Sequence, residues 1–488
     1  MPLNLIKVYI VFTGFLICIG TVINIRLTLA CTSLYITSDL KDNIEESDVI
    51  ADSEEEESNY CINDSVKMDL DGDVDYRIEN WRSRLEKKQI AFFEKKELER
   101  NRLLDPQKGP YSSIRMVESV LGVRLLNLNN VCYDIYNRCT YLYSLDDKKV
   151  STKSLPENFP QKSWNFKVVK SKPPSTGYWD ESDGSYLIMS HSNRNIAHFM
   201  EVFNFVYHYL DHRTLYPPLN TIYFLQYQRD SVYPWILSYI DVTQSLFPKQ
   251  NLFKSVFMED MAMMDKDGLI CFRHAIGVGR ISSYFYGGVF TSIAEVDTVR
   301  SATYRYFNTR ISFSSFTIPS VLVILREAVH GNLPGRAISN VDEVRQFFNR
   351  NRESYLYMEK KLELMKPSDQ IATLAKTDVF IGALGSGFAN VIYMLPGSVV
   401  ISYSPPHVGG FFFDTLCEMS RVHYIGVYNS STPFPPECKN RINANGESTI
   451  RACLDVLYAG DIFVNIEQLQ YLLTTAIIHL KSDKYRSF

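Results

Sequence analysis

The residues best suited to chemistry fall into two groups. In the first, Gly385-Ser386-Gly387 sits between an apolar run, Val379-Phe380-Ile381, and a helical pattern over 388–395. A strand, a glycine-rich loop and a helix in that order can turn backbone N–H groups and a helix N-terminus towards a phosphate. Pro396-Gly397 then makes a turn and Val399-Val400-Ile401 reads as the next strand. The same glycines also suit a plainer purpose, close packing of strand on helix. Upstream, Arg326 stands just past a strand at 320–325, and Arg336 follows a Gly/Pro loop. Ligands of open α/β sheets bind beyond the carboxyl ends of the strands, and an arginine can grip a diphosphate with two hydrogen bonds. The competing reading of each arginine is a surface ion pair.

The second group is His198 and Glu201, on one face of a predicted helix over 195–210 with Phe205 and His208. Ile196, Phe199, Phe203, Val206 and Leu210 supply its apolar spacing. An imidazole or carboxylate held on a helix and facing a cleft can serve as a general base for an acceptor hydroxyl. A hydrogen-bonded interior histidine is the alternative for His198. Two acidic clusters suit metals less well. Asp71-Gly72-Asp73-Val74-Asp75 lacks the glycine of a calcium loop, with Tyr76 in its place, and Asp265-Lys266-Asp267-Gly268 reads as a hairpin turn.

The elements that must position these residues alternate between strand and helix. Strands are predicted at 186–188 and 221–224, then at 320–325, 355–357 and 379–381. Asn340 with Glu343 reads as a capping box opening a helix over 341–348, and 367–376 is the next helix. Such alternation implies parallel sheets. The expected fold is therefore two α/β domains with a cleft between them, 110–317 and 318–488. Ahead of them come a membrane or signal segment, 1–31, and an acidic, charged stem, 32–109, with a stem helix over 77–104.

The chain has 488 residues, 45% of them hydrophobic and 22% charged, and a net charge of −4, which gives no reason to invoke nucleic acid. The apolar run 8–23, between Lys7 and Arg26, reads as a type II signal anchor; a cleaved signal peptide is the alternative, leaving the chain lumenal or secreted. Cys132/Cys139 and Cys438/Cys453 are locally spaced and could close small loops in an oxidising lumen, the spacing leaving the connectivity open. Asn63 and Asn429 are N-glycosylation acceptors there.

Taken together, Asn195-Ile-Ala-His198-Phe199, Cys271-Phe-Arg273, Arg326 and Arg336, Asp369-Gln370-Ile371, and 377–382 through Asn390 to Pro396-Gly397 resemble glycosyltransferase family 61. The resemblance covers about 185–480. It implies a GT-B-like fold, two Rossmann-like domains, and inverting transfer of GlcNAc or xylose from a UDP-sugar to a glycoprotein or glycan, with no obligatory metal. By that resemblance Arg326, Arg336, Gly385, Ser386, Gly387 and Asn390 bind the donor and His198 is the matching histidine, with Glu201, one residue before the family's acidic position, as its substitute partner in the chemistry. The expected location is the Golgi or endoplasmic reticulum membrane, in protein glycosylation. Two positions depart from the family pattern: Leu384 stands where a histidine is usual, and Val202 where an acidic residue is usual. A catalytically silent member that binds nucleotide sugar or glycan, or assists a partner transferase, is the alternative.

Overall fold

The computed structural model describes residues 109–118, 123–145, 164–189, 195–279, 289–311, 318–325, 337–405, 411–427 and 461–481, with Cys438 and Val456 besides. All of them belong to one compact unit, Glu86–Phe488. The membrane or signal segment, nearly all of the stem, the 71–75 cluster, Arg326, Arg336, Asn63, Asn429 and Cys453 lie outside the described residues. Among the described residues no helix is long and apolar enough to cross a membrane.

The first sheet has nine strands: β1 (Ser113–Glu118), β2 (Arg124–Asp134), β3 (Cys139–Tyr143), β4 (Phe166–Val169), β5 (Tyr178–Asp180), β6 (Ser185–Ile188), β7 (Thr221–Phe224), β8 (Lys254–Val256) and β9 (Leu269–Val278). Its main path is β4-β3-β2-β9-β6-β7-β8, with β1 on β2 and β5 on β9. The run β9-β6-β7-β8 is parallel, whereas β2 is antiparallel to β1, β3 and β9. In chain order the parallel part starts at β6 and grows outward through β7 and β8. It then returns to place β9 on the other side of β6, the order of half a Rossmann sheet, so the winding reverses between β6 and β9. Helices α1 (Ile196–Phe203) and α2 (Phe205–Asp211) lie between β6 and β7, α3 (Pro234–Gln244) between β7 and β8, and α4 (Met258–Met264) between β8 and β9.

After α5 (Ile293–Tyr306), the second sheet takes over, with β10 (Ser320–Ile324), β11 (Leu356–Lys360), β12 (Val379–Ala383), β13 (Val399–Tyr403) and β14 (His423–Val427). All its pairs are parallel. The order β11-β10-β12-β13-β14 reverses between β10 and β12. Crossovers are α6 (Val341–Arg350), α7 (Pro367–Leu374), a 3-10 helix Ser386–Tyr393, and α8 (Phe411–Met419). A last helix, α9 (Ile466–Lys481), packs on β13. Every residue of β10, β12 and β13 is buried, the near-continuous apolar reading of strands covered on both faces. The Pro396-Gly397 turn forms as its residues dictate. Gly397 takes φ +84°, and the Ser398 N–H closes onto the Leu395 carbonyl at 3.1 Å. One apolar cluster spans both sheets, with Phe199, Phe203 and Trp235 from the first part and Phe380, Phe388 and Ile392 from the second.

Four local expectations need correction. The predicted helix 195–210 is two helices, broken at Asn204, whose side chain is tied to Val289 O and the Tyr239 hydroxyl rather than to a helical neighbour. Asn340 forms no capping box; its amide bonds both backbone groups of Val464, fastening the segment before α9 to the start of α6. Asp265–Gly268 is a turn, but it joins α4 to β9 instead of closing a hairpin. Cys132 is bonded to Cys271, not Cys139, because β2 and β9 set those two Cα atoms opposite each other, 3.9 Å apart. Cys139 is a buried free thiol. Cys438 is disulfide-bonded.

Candidate functional site

Each sheet reverses its winding once, and the crevice beyond the carboxyl ends of the strands at such a point is where open α/β sheets take ligands. In the first sheet the relevant strand is β6, and α1 is the helix that follows it. Asn195 caps α1, its Oδ1 accepting the His198 N–H at 3.2 Å, a cap of the kind that contributes about 1 kcal/mol. That places His198 in the first turn. Its Nδ1 lies 3.0 Å from Glu201 Oε1, one helical turn on; the histidine side chain is 44% exposed and the glutamate 13%. A carboxylate only accepts, so a proton on Nδ1 suits this bond, and in the neutral imidazole that tautomer leaves Nε2 as the acceptor. Val202, where the family pattern is acidic, is buried in the core. On this helix it is Glu201, three residues after His198, that reaches the imidazole.

In the second sheet the winding reverses between β10 and β12, and the loop after β12 carries Gly385, Ser386 and Gly387. Gly385 is buried; Ser386 and Gly387 are half-buried and open the 3-10 helix. The glycine at the end of β12 has a packing reason. A Cβ on Gly382 would lie 2.3 Å from Ile324 Cγ1, and one on Gly387 would lie 3.4 Å from Ile324 Cδ1. Ile324 therefore fills the space under the loop. Leu384, at the family's histidine position, is buried in the shared core. Asn390 is buried too. Its Nδ2 donates to Gly387 O at 3.1 Å, and its Oδ1 accepts from the Trp235 indole N–H at 2.9 Å. Both ends of that amide are engaged inside the protein.

The helix that bears His198 and Glu201, α1, packs on the 3-10 helix that Ser386 opens, which also touches α5, α7 and α8. His208, expected on the face of His198, is instead wholly buried beyond the Asn204 break. Its Nδ1 lies 2.9 Å from Thr291 Oγ1 and 3.4 Å from Glu295 Oε1, and its Nε2 lies 2.8 Å from the Tyr216 hydroxyl.

Sequence reasoning passes over Arg300 on α5, which holds the far end of the 3-10 helix. It is 3% exposed; Nε donates to Ile392 O at 2.8 Å and Nη2 to Ser420 O at 2.9 Å. Its Nη1 meets Asp297, which also receives Arg421. Burial holds the Arg300 pKa below the ordinary arginine value, opposed by Tyr304 and Asp297. The signal was there to read, since Arg300 falls on the face of Val296, Val299 and Thr303, where a lone cation requires partners.

Comparison with curated proteins returned no match. Residues 186–401, which contain α1, both winding reversals and the glycine loop, match the family model described as Glycosyltransferase 61, a match that supports membership of that family.

Proposed function

We propose that the chain is a lumenal, inverting glycosyltransferase that moves GlcNAc or xylose from a UDP-sugar to a hydroxyl of a glycoprotein or glycan. Transfer between a sugar donor and an acceptor is what the family implies. One observation carries the finer reading: the His198–Glu201 pair, 3.0 Å apart, sits on a helix packed against the 3-10 helix that the glycine loop opens. In a GT-B-like arrangement the first sheet serves the acceptor and the second the nucleotide sugar. Glu201 holds His198 by Nδ1, and Nε2 takes the proton of the acceptor hydroxyl. The hydroxyl oxygen attacks the anomeric carbon from the face opposite UDP. As that bond forms, the bond from carbon to the UDP oxygen breaks, which inverts the configuration. The departing diphosphate gathers charge beside the N–H groups of Ser386 and Gly387, with Arg326 and Arg336 assigned to the same anion. No resident metal or cofactor is assigned a part. The chain works at the Golgi or endoplasmic reticulum membrane, held by its N-terminal segment.

The buried Leu384 favours a second reading, a catalytically silent member that binds nucleotide sugar or glycan without turning it over. Incubating the full-length chain with a panel of UDP-sugars and measuring UDP release separates the two. Turnover of one donor supports the transferase. A rise in melting temperature with UDP but no turnover supports the silent binder, and no response to any donor or to UDP removes both.

A further inference from the structure

On α3, Trp235, Tyr239 and Thr243 recur every four residues and so form one row along the helix. All three are buried. The polar tip of each bonds a different element. The Trp235 indole N–H holds Asn390 at 2.9 Å, the Tyr239 hydroxyl holds Asn204 Oδ1 at 2.8 Å, and Thr243 Oγ1 meets the Tyr207 hydroxyl at 2.6 Å. The two rings are stacked, 4.8 Å between centroids. Asn390 in turn holds Gly387 O in the glycine loop, and Asn204 closes the helix that bears His198 and Glu201. A single helix row thus touches the glycine-loop side through Trp235 and, one turn on, the end of the His198 helix through Tyr239.

We propose that Trp235 is a positioning residue, fixing the glycine loop through Asn390 at a set distance from the His198 helix. The inference rests on the UDP-sugar reading of the site and adds to it a residue that touches neither donor nor acceptor. Its physical basis is that Asn390 Oδ1 has the indole as its donor in a buried setting. Removing that donor leaves a buried acceptor to find another, which the loop can do only by moving.

The test is UDP affinity of the full-length chain, measured by calorimetry. Trp235→Phe keeps one aromatic ring and loses the five-membered ring with its N–H, and is expected to weaken UDP binding about tenfold. In a chain already carrying Asn390→Ala the same change should alter affinity less than about twofold, since the bond is already gone. Tyr133→Phe is the control. It removes a buried hydroxyl bond to Leu225 O on the other face of the first sheet, so it should lower the melting temperature and leave UDP affinity unchanged. Asn390→Ala removes the indole's acceptor together with the bond to Gly387 O, so an unchanged UDP affinity in that variant overturns the role even if Trp235→Phe does not fold. Equal UDP affinity in Trp235→Phe and the wild type overturns the positioning role while leaving the site reading intact. So does a tenfold loss that persists in the Asn390→Ala background. Absence of UDP binding by the wild type removes the site reading and this inference with it.

Discussion

Two histidines on consecutive helices, His198 and His208, each face a glutamate, and their surroundings are opposite. His198 meets Glu201 within one helical turn, with its side chain 44% exposed at the end of a sheet where the winding reverses. His208 meets Glu295 across 3.4 Å with both side chains sealed from solvent, and Thr291 and Tyr216 complete its bonds. Residue type is the same in both pairs, so type alone does not decide what an imidazole does. A base that receives a proton from a substrate must be reachable and must keep one ring nitrogen for it. His208 has both nitrogens engaged inside the core, and Glu295 Oε2 takes the Thr291 N–H at 2.7 Å. That arrangement stabilises the fold, tying α2 to the start of α5.

The sharpest way to break this comparison is to delete one member of each pair. His198→Ala is expected to lower kcat by about 10²–10⁴-fold while leaving UDP affinity and the melting temperature close to wild type. A fall in melting temperature matching that of a core variant would place His198 in the second class and end its catalytic assignment. Glu295→Ala should do the reverse. It strips Thr291 and His208 of a buried partner, at a cost of about 1–3 kcal/mol for each buried group left unsatisfied, against a total stability of about 5–15 kcal/mol. Urea denaturation reads the loss, and a change below about 1 kcal/mol would show the buried network to be of little weight. The folded fraction of that variant should keep its UDP affinity.

Much of the second sheet was legible because its strands are short apolar runs between turn signals. The strands at 320–325 and 379–381, the turn at Pro396-Gly397 and the helix from Pro367 were each readable from local residues. Of the site, His198 and Glu201 were legible as types on one helix. That Glu201 rather than residue 202 reaches the imidazole depends on which face α1 buries, and Val202 takes the core side because α3 and the 3-10 helix lie there. The break at Asn204 was not legible, since the apolar spacing runs through it unchanged. Only the tertiary bonds to Val289 and Tyr239 reveal why the helix stops. Asn340 failed in the same way. Its local pattern is that of a cap, but the distant Val464 backbone competes for the amide and wins both of its ends. The Cys132–Cys271 bond was hidden for a similar reason, as the partners are 139 residues apart and meet only through β-sheet register.

A third histidine sharpens the comparison by its smallest expected effect. His423 lies on β14, with its ring centroid 4.2 Å from that of His479 on α9. Burial, and then the neighbouring His479, hold the His423 pKa below its ordinary value of 6.5. The unfolded chain therefore takes up a proton at a higher pH than the folded one does. By linkage, stability is full above 6.5, falls as the pH drops through that value, and stops falling once the pH is below the folded pKa. Here a histidine beside another base penalises the charged form, where a neighbouring carboxylate would favour it. Melting temperatures taken from about pH 7.5 down to about pH 5.5, across the ordinary histidine range, should decline, and His423→Gln should flatten part of that decline. An identical slope in the variant would mean that His423 takes no part in it, and that other groups set the acid limit of the fold.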